Sequence, residues 1–496
     1  MGTVMEVWNW EIKNKDFLQR TIERCRKRQI ILPTFEQMKK PETIHEEIKR
    51  KLPHIDLQEV HPLNLFRIHW CNDPDSGQIG NINYLEIPSE ISHVPTRIIG
   101  LVGKHFPTGA HKVGATYGCL APYLVTGRFN PDYHKAVWPS TGNYCRGGAF
   151  NSALLDVHAV AILPEEMSTE RFEWLRKMGA EVYATPGCES NVKEIYDKCH
   201  ELERESDQYV IFNQFDQFGN AVWHYTVTGY AIQQLFEKLR EGRQILAGYV
   251  SATGSAGTIA AGDYLRNYFP QIKVLAAEAL QCPTLLMNGF GGHRIEGIGD
   301  KHVPWIHNVR NTDAVAAIDD EQPLRLLRLF NEPEGREWLM RHKKVPAEVV
   351  DQLPLLGISS CANLLAAIKL ARYFEMGERE IIFTIFTDSV ELYRSRLGEL
   401  NQQYGPYTPQ QAALDWETVI GRQSIDYFKE LSYYHKKTIH NLKYFTWVEQ
   451  QGKMVEELEA QWHEPDYWEE RFTTAEQWDR LIADFNRRVG LETASS

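Results

Sequence analysis

Between residues 97 and 400 the chain alternates between two hydrophobic periods, and that alternation decides its fold class. Short β-branched runs come at 97–102, 159–163, 181–184, 209–212, 245–250, 274–278 and 381–386. Helix-period segments separate them, such as 169–178, which stops at Gly179, and 191–205. Near-continuous apolar strands divided by helices predict an α/β fold, with parallel-type sheets covered by helices on both faces. Nothing repeats at a fixed period.

A chain of 496 residues can bury a large core and carry more than one domain. Lys and Arg number 54 against 66 Asp and Glu, a net charge of -12. Phosphate backbones need clustered basic side chains, so nucleic acid is not expected as a partner. No apolar run approaches the roughly 20 residues of a membrane helix, and no membrane association is expected. The stretch from Met1 to Trp8 lacks a basic region followed by an apolar one, which argues against a secretory signal. Cysteines stand scattered at 25, 71, 119, 145, 188, 199, 282 and 361, without a Cys-x-x-Cys pair. Free thiols in a reducing compartment, hence a cytoplasmic protein, are the expectation.

Two extensions flank the alternating region. Residues 1–96 form a charged N-terminal extension in which Pro41 starts a short helix and Pro53 ends it. His61, His69 and Cys71 match no standard zinc spacing and read as packed residues. Residues 401–496 form a helical C-terminal extension in which strands stop. Thr408-Pro409 starts a helix, Thr473-x-x-Glu476 supplies a capping box, and Gly490 ends the last helix. Trp416, Trp447, Trp462, Trp468 and Trp478 read equally as core packing or as anchors docking helices on the core or on a second subunit.

Three motifs within residues 97–400 carry chemistry. Pro107-Thr108-Gly109-Ala110-His111-Lys112 presents a lysine where a strand gives way to a small-residue helix. A desolvated lysine has a lowered pKa and reacts as a nucleophile, whereas in most chains it is a surface residue. Ser140-Thr141-Gly142-Asn143 follows, and its Asn143 can bond a cofactor's ring oxygen, cap the next helix, or do both. Gly254-Ser255-Ala256-Gly257-Thr258 lies between a strand ending at Val250 and a helix over 259–269. Backbone N–H groups converge at such a junction, and small residues admit a dianionic phosphate. Lysine, Ser/Thr-Gly-Asn turn and phosphate cup, in that order, suit pyridoxal 5'-phosphate. The lysine forms an imine with it, the turn holds ring and substrate, and the cup takes the phosphate.

These residues resemble the cysteine synthase and cystathionine β-synthase family of the tryptophan synthase beta superfamily. Phe212-Asn213-Gln214-Phe215, His224 to Gly229, His293-Arg294-Ile295-Glu296-Gly297-Ile298-Gly299, Gly357-Ile358-Ser359-Ser360 and Thr387 to Tyr393 are similar to segments of that family. The resemblance covers about 97–400 and implies a two-lobed core of the fold type II pyridoxal phosphate enzymes, probed by a small amino-acid substrate and assembled as a homodimer. By resemblance, Lys112 holds the cofactor and moves the substrate's α-proton, with His111 beside it. Asn143 bonds the ring oxygen, Gly254 to Thr258 cradle the phosphate, and Ser359 or Ser360 faces the pyridine nitrogen. Ser140, Thr141, Gly142, Tyr144, Gln214 and Gly297 meet the substrate.

A neutral hydroxyl at the pyridine nitrogen makes a weaker electron sink than a carboxylate would allow. That suits loss of a β-leaving group better than transamination. The implied reaction is β-elimination or β-replacement through an aminoacrylate, the work of a lyase or transferase. A serine/threonine-type ammonia-lyase and a cofactor-binding regulatory protein without turnover are the alternatives. The histidine before Lys112 is similar to the tryptophan synthase beta chain, but Pro139 to Cys145 contains no glutamate, which argues against indole chemistry. Arg146 departs from the family's small residues after the loop. It reads either as a substrate residue that takes a second carboxylate or as an arginine paired on its own surface.

Overall fold

The computed structural model describes residues 11–140, 142–188, 191–298 and 301–491. The β-branched runs form extended backbone, as their restricted χ1 favours. In chain order the strands are β1 (Tyr84–Ile87), β2 (Arg97–Val102), β3 (Lys135–Pro139), β4 (His158–Pro164), β5 (Glu181–Thr185) and β6 (Tyr209–Ile211). They continue as β7 (Ile245–Ala252), β8 (Lys273–Ala279), β9 (Ala314–Ile318), β10 (Glu380–Phe386) and β11 (Phe428–Glu430). One sheet has the order β5-β4-β3-β6 and is parallel throughout. The other runs β1-β2-β10-β7-β8-β9-β11, with a parallel centre and the antiparallel edges β1 and β11.

Six helices position the site: α1 (Lys112–Val125), α2 (Asn143–Leu154), α3 (Thr169–Lys177), α4 (Phe218–Trp223), α5 (Ala260–Tyr268) and α6 (Ile358–Tyr373). Helices α1 and α4 cross with their backbones touching. A Cβ on Gly118 would lie 2.3 Å from the Gly219 carbonyl oxygen, and one on Gly219 would lie 2.2 Å from that of Gly118. Only glycine permits that approach. The chemistry-bearing segments leave the carboxyl ends of β3, β7 and β10, where open α/β sheets place their ligands.

The two ends of the chain are laced together. Arg26 donates to the carbonyls of Val489 at 2.9 Å and Arg488 at 2.7 Å. The Asp479 carboxylate accepts the backbone N–H of Phe35 at 2.6 Å and of Glu36 at 2.9 Å. All five tryptophans of the last segment are buried within their own chain. His61 and His69 use Nδ1 to accept the backbone N–H of Leu63 and Cys71.

Two expectations for the C-terminal segment need correction. Strands do not stop there, because β11 pairs antiparallel with β9. Its Phe-Lys-Glu sequence is too short and polar to announce a strand. The capping box is not formed either. The last helix starts at Ala475, and the Thr473 hydroxyl instead donates to the Glu469 carbonyl at 2.8 Å. Gly490 does end that helix, at φ 73.

Lys443 fastens the C-terminal segment to the loop that follows Ile298. Its buried Nζ donates to the carbonyls of Trp305 at 3.0 Å and His307 at 2.8 Å, and to Gln461 Oε1 at 2.7 Å. Burial holds this amine well below the usual lysine range, yet three acceptors match its three N–H groups. Lys443→Met leaves Gln461 Oε1 unpaired, while the Trp305 carbonyl keeps Gln461 Nε2 at 3.3 Å and the His307 carbonyl keeps the Val309 N–H at 3.0 Å. A net loss on the order of 1–3 kcal/mol is expected, read as a lower urea midpoint.

Candidate active site

Lys112 is the first residue of α1, behind a turn with Thr108 at φ 72 and Gly109 at φ 73. A threonine in the left-handed region is strained, a condition that clusters at functional sites. The half-buried Lys112 Nζ donates to Ser255 Oγ at 3.1 Å. Burial brings this amine down to about 8, so more of it is neutral near physiological pH than of an ordinary lysine.

Ser255 lies in the turn between β7 and α5, followed by Ala256 at φ 60, a second strained non-glycine residue. Asn220 of α4 supports the turn. Its Nδ2 donates to Ser255 Oγ at 3.0 Å and to the Gln214 carbonyl at 2.9 Å. Gly257 packs against that amide, since a Cβ there would lie 1.9 Å from Asn220 Oδ1. Across the cavity, Ser140 Oγ accepts the Gly142 N–H at 3.0 Å, and Asn143 begins α2.

One cavity is lined by Lys112, Ser140, Asn143, Tyr144, Gln214, Gly254, Ser255, Ala256, Thr258 and Gly297, together with Val192, Phe215, Ala252, Ile298 and Thr387. Among these described lining residues Lys112 carries the one charged side chain, which suits an anionic guest. The group is right for pyridoxal phosphate on the structure's own terms. A low-pKa amine faces a small-residue turn at a strand-helix junction, and the buried Asn143 Oδ1 has no partner.

Several residues singled out in the sequence stand behind this lining. Thr141 and Gly299 lie outside the described residues. Gly142 backs onto Arg171, whose Nη1 would meet a Cβ at 1.3 Å. Ser359 Oγ comes within 4.0 Å of a Cβ built on Gly297, and Ser360 Oγ donates to the Asp388 carbonyl at 3.4 Å. His111 Nε2 lies 3.3 Å from the Thr387 hydroxyl, and its ring meets His224 edge-on at 4.9 Å. Burial holds both imidazoles well below the usual histidine range, helped at His111 by the Lys112 charge and at His224 by His111 and then Lys112. His224 opens a π-helical turn, His224–Thr228, of the kind that recurs at functional sites.

Arg146 is buried on α2 and lies over the Trp174 ring at 4.7 Å. It is not among the described residues lining the cavity. Burial, and then the charge of Arg171, brings its guanidinium down to about 10. Asp388, for which the sequence offered no role, ties the lobes together. Its Oδ2 accepts Asn143 Nδ2 at 2.6 Å and the Tyr393 hydroxyl at 2.7 Å. Arg171 donates from Nη2 to Tyr393 at 3.0 Å, and its Nε lies 3.2 Å from Glu296 Oε2. Asn220 carried no signal beyond being a polar residue beside an apolar run, and Asp388 entered only within the segment Thr387 to Tyr393, without a role of its own.

Residues 101–337 match the family described as "Pyridoxal-phosphate dependent enzyme". A cysteine synthase of Staphylococcus aureus is 30% identical over 260 residues, which is 52% of this chain and 75% of the relative. The cystathionine beta-synthase of Saccharomyces cerevisiae is 26% identical over 299 residues, 58% of this chain and 55% of that one. Among solved structures, the O-acetylserine dependent cystathionine beta-synthase of Helicobacter pylori superposes with a TM-score of 0.52 at 23% identity. That alignment covers 63% of this chain and 94% of the other, and the likeness is one of fold.

Proposed function

Because the chain belongs to the pyridoxal-phosphate dependent enzymes, we propose that it performs β-elimination or β-replacement on a small amino acid. The observation that carries this reading is the 3.1 Å contact joining the Lys112 amine to Ser255 of the cup. When bound, pyridoxal phosphate supplies an aldehyde that an amine captures and a ring that delocalises the electron pair left at Cα. The chain's own groups do the rest. Lys112 Nζ would hold the cofactor and would serve as the base that takes the proton from the substrate's Cα. The turn from Gly254 to Thr258 receives the phosphate, with Ser255 fixed by Asn220. Ser140 and Gln214 orient the substrate carboxylate, while Tyr144 and Gly297 limit the space beside it. Ser359 or Ser360 offers a neutral hydroxyl to the pyridine nitrogen, which favours loss of a β-leaving group over transamination.

The test is a screen of the pyridoxal phosphate-loaded protein against O-acetylserine, cysteine, serine, threonine and diaminopropionate. Spectral change with a released β-substituent or a new β-substituted amino acid supports the reading. Oxo acid and ammonia from serine or threonine alone would move it to an ammonia-lyase. Colour without turnover on any donor would leave a binding protein.

Lys112 also sets a pH dependence. An amine captures an aldehyde only when uncharged, and this one loses its proton near 8 rather than in the usual lysine range. Capture of added pyridoxal phosphate should therefore quicken as pH rises through about 8 and level off above it. Stopped-flow absorbance from about pH 6 to about pH 11.5 reads this, against the lysine's ordinary pKa of about 10.4. A rise centred near that ordinary value would mean that burial does not activate the residue.

The reading includes a homodimer in the cytoplasm, with three regions at 1–96, 97–400 and 401–496. No disulfide joins the eight cysteines, six of which are buried, as a reducing compartment allows. Light scattering of the purified protein checks the assembly.

A further inference from the structure

Behind the substrate turn, a buried polar cluster holds donors and acceptors that it does not pair. Arg146, only 4% exposed, has no partner on Nε or Nη1. Stacking on Trp174 engages the face of the guanidinium and leaves its in-plane N–H groups unused. On the other lobe Asp388 has no partner on Oδ1, and its Oδ2 is occupied by Asn143 and Tyr393. Asn143 in turn spends Nδ2 on Asp388 and leaves Oδ1 unpaired. Arg146 stands three residues after Asn143 on α2, on the face that meets Asp388. Burial pushes the Asp388 carboxyl up and the Arg146 guanidinium down, and each charge offsets part of that shift in the other.

A half-paired guanidinium and a half-paired carboxylate in one dry cluster are costly. Such a cost persists where a second arrangement relieves it. We propose that Arg146 is a positioning residue that takes Asp388 over from Asn143 when Asn143 turns its amide to the bound cofactor. The inference rests on the reading of Asn143 as the ligand of the cofactor's ring oxygen. Nδ2 is the one donor atom Asn143 has for that oxygen, and its two N–H groups move together, so turning the amide to the ring draws the N–H now on Asp388 off it. Turning it away leaves Asp388 Oδ2 with Tyr393 alone. Arg171 is already engaged with Tyr393 and Glu296, so Arg146 is the cation with N–H groups to give. Ser360 meets Asp388 only at its backbone carbonyl. Since Arg146 belongs to α2 and Asp388 follows β10, the exchange keeps these two segments joined while Asn143 serves the cofactor.

The test compares wild type, Arg146→Met, Asp388→Asn and the double variant, each with and without pyridoxal phosphate. Without cofactor, Arg146→Met should unfold at the wild-type urea midpoint or above it, because it removes a half-paired buried charge. With cofactor, it should release pyridoxal phosphate about tenfold more readily, and Asp388→Asn should do the same. The double variant should be no worse than either single one. The pH at which the visible band of the bound cofactor titrates should move in Arg146→Met and return part of the way in Arg146→Lys. A merely structural arginine would shift stability and leave that pH alone.

Multiplied losses in the double variant, or wild-type cofactor retention in Arg146→Met, overturn the proposal. Should Asp388→Asn fail to fold, Arg146→Met still decides, because equal destabilisation with and without cofactor overturns it as well. Asn143→Ala separates the two readings. Wild-type retention and an unmoved band in that variant would remove the parent reading and this proposal together. Failure confined to Arg146 would leave the parent reading standing.

Discussion

Replacing Lys112 with alanine is expected to abolish covalent capture of pyridoxal phosphate and to lower turnover by at least about a thousandfold. The loss combines the nucleophile that holds the cofactor with the base that moves the α-proton, each worth orders of magnitude. The fold should survive. Alanine is well tolerated at a helix start, and Ser255 keeps its bond from Asn220. Borohydride reduction followed by peptide mapping checks the assignment, labelling the peptide that contains residue 112 in wild type and none in the variant. Lys104 is the other lysine of this segment, but its ammonium is paired with Glu391 and it is not among the described residues lining the cavity. A Lys112→Ala protein that is still labelled would transfer the role to another lysine. Lys112→Arg should fail almost as completely, since a guanidinium keeps the charge and does not form the bond.

How much of this was legible in the sequence follows from where the physical signal was local. Strands rich in Ile and Val, such as β2 and β10, show themselves within a residue of their observed ends. β3 and β9 do not, because Lys-Ala-Val-Trp-Pro and Ala-Val-Ala-Ala-Ile carry too few β-branched residues to outweigh their alanines. β1 hides in the charged segment before residue 97 and is a strand because β2 pairs with it. The lysine turn and the cup were legible since their chemistry needs small residues at a strand-helix junction. Asp388 was not, because its partner Asn143 is 245 residues away in sequence. Arg146 read either as a substrate residue or as an arginine paired on its own surface, from its place one turn after Asn143. Its buried guanidinium lies over Trp174 of α3, which only a folded chain can show.

The cup answers to a different substitution. Gly257→Asp should strip the protein of pyridoxal phosphate on dialysis while leaving it folded. A Cβ at this position would lie 1.9 Å from Asn220 Oδ1 and 2.6 Å from its Nδ2. Asn220 cannot retreat with its helix, because α4 already touches α1 at Gly118 and Gly219. The amide must swing aside and release both Ser255 and the Gln214 carbonyl. The new carboxylate then stands beside a dianionic phosphate, where each pair of like charges costs about 4 kcal/mol at ~4 Å and an effective dielectric of ~20. Two controls divide the steric part from the charge. Gly257→Ala meets Asn220 without adding charge and should loosen the cofactor less. At Gly254 a Cβ would come no closer than 3.3 Å to the Gly297 carbonyl oxygen, so Gly254→Ala should be the mildest of the three. Equal loss in Gly257→Ala and Gly257→Asp would mean that the carboxylate never faces the phosphate. Cofactor retained by Gly257→Asp would place the phosphate in a different turn, and the assignment of residues 254–258 would fall with it.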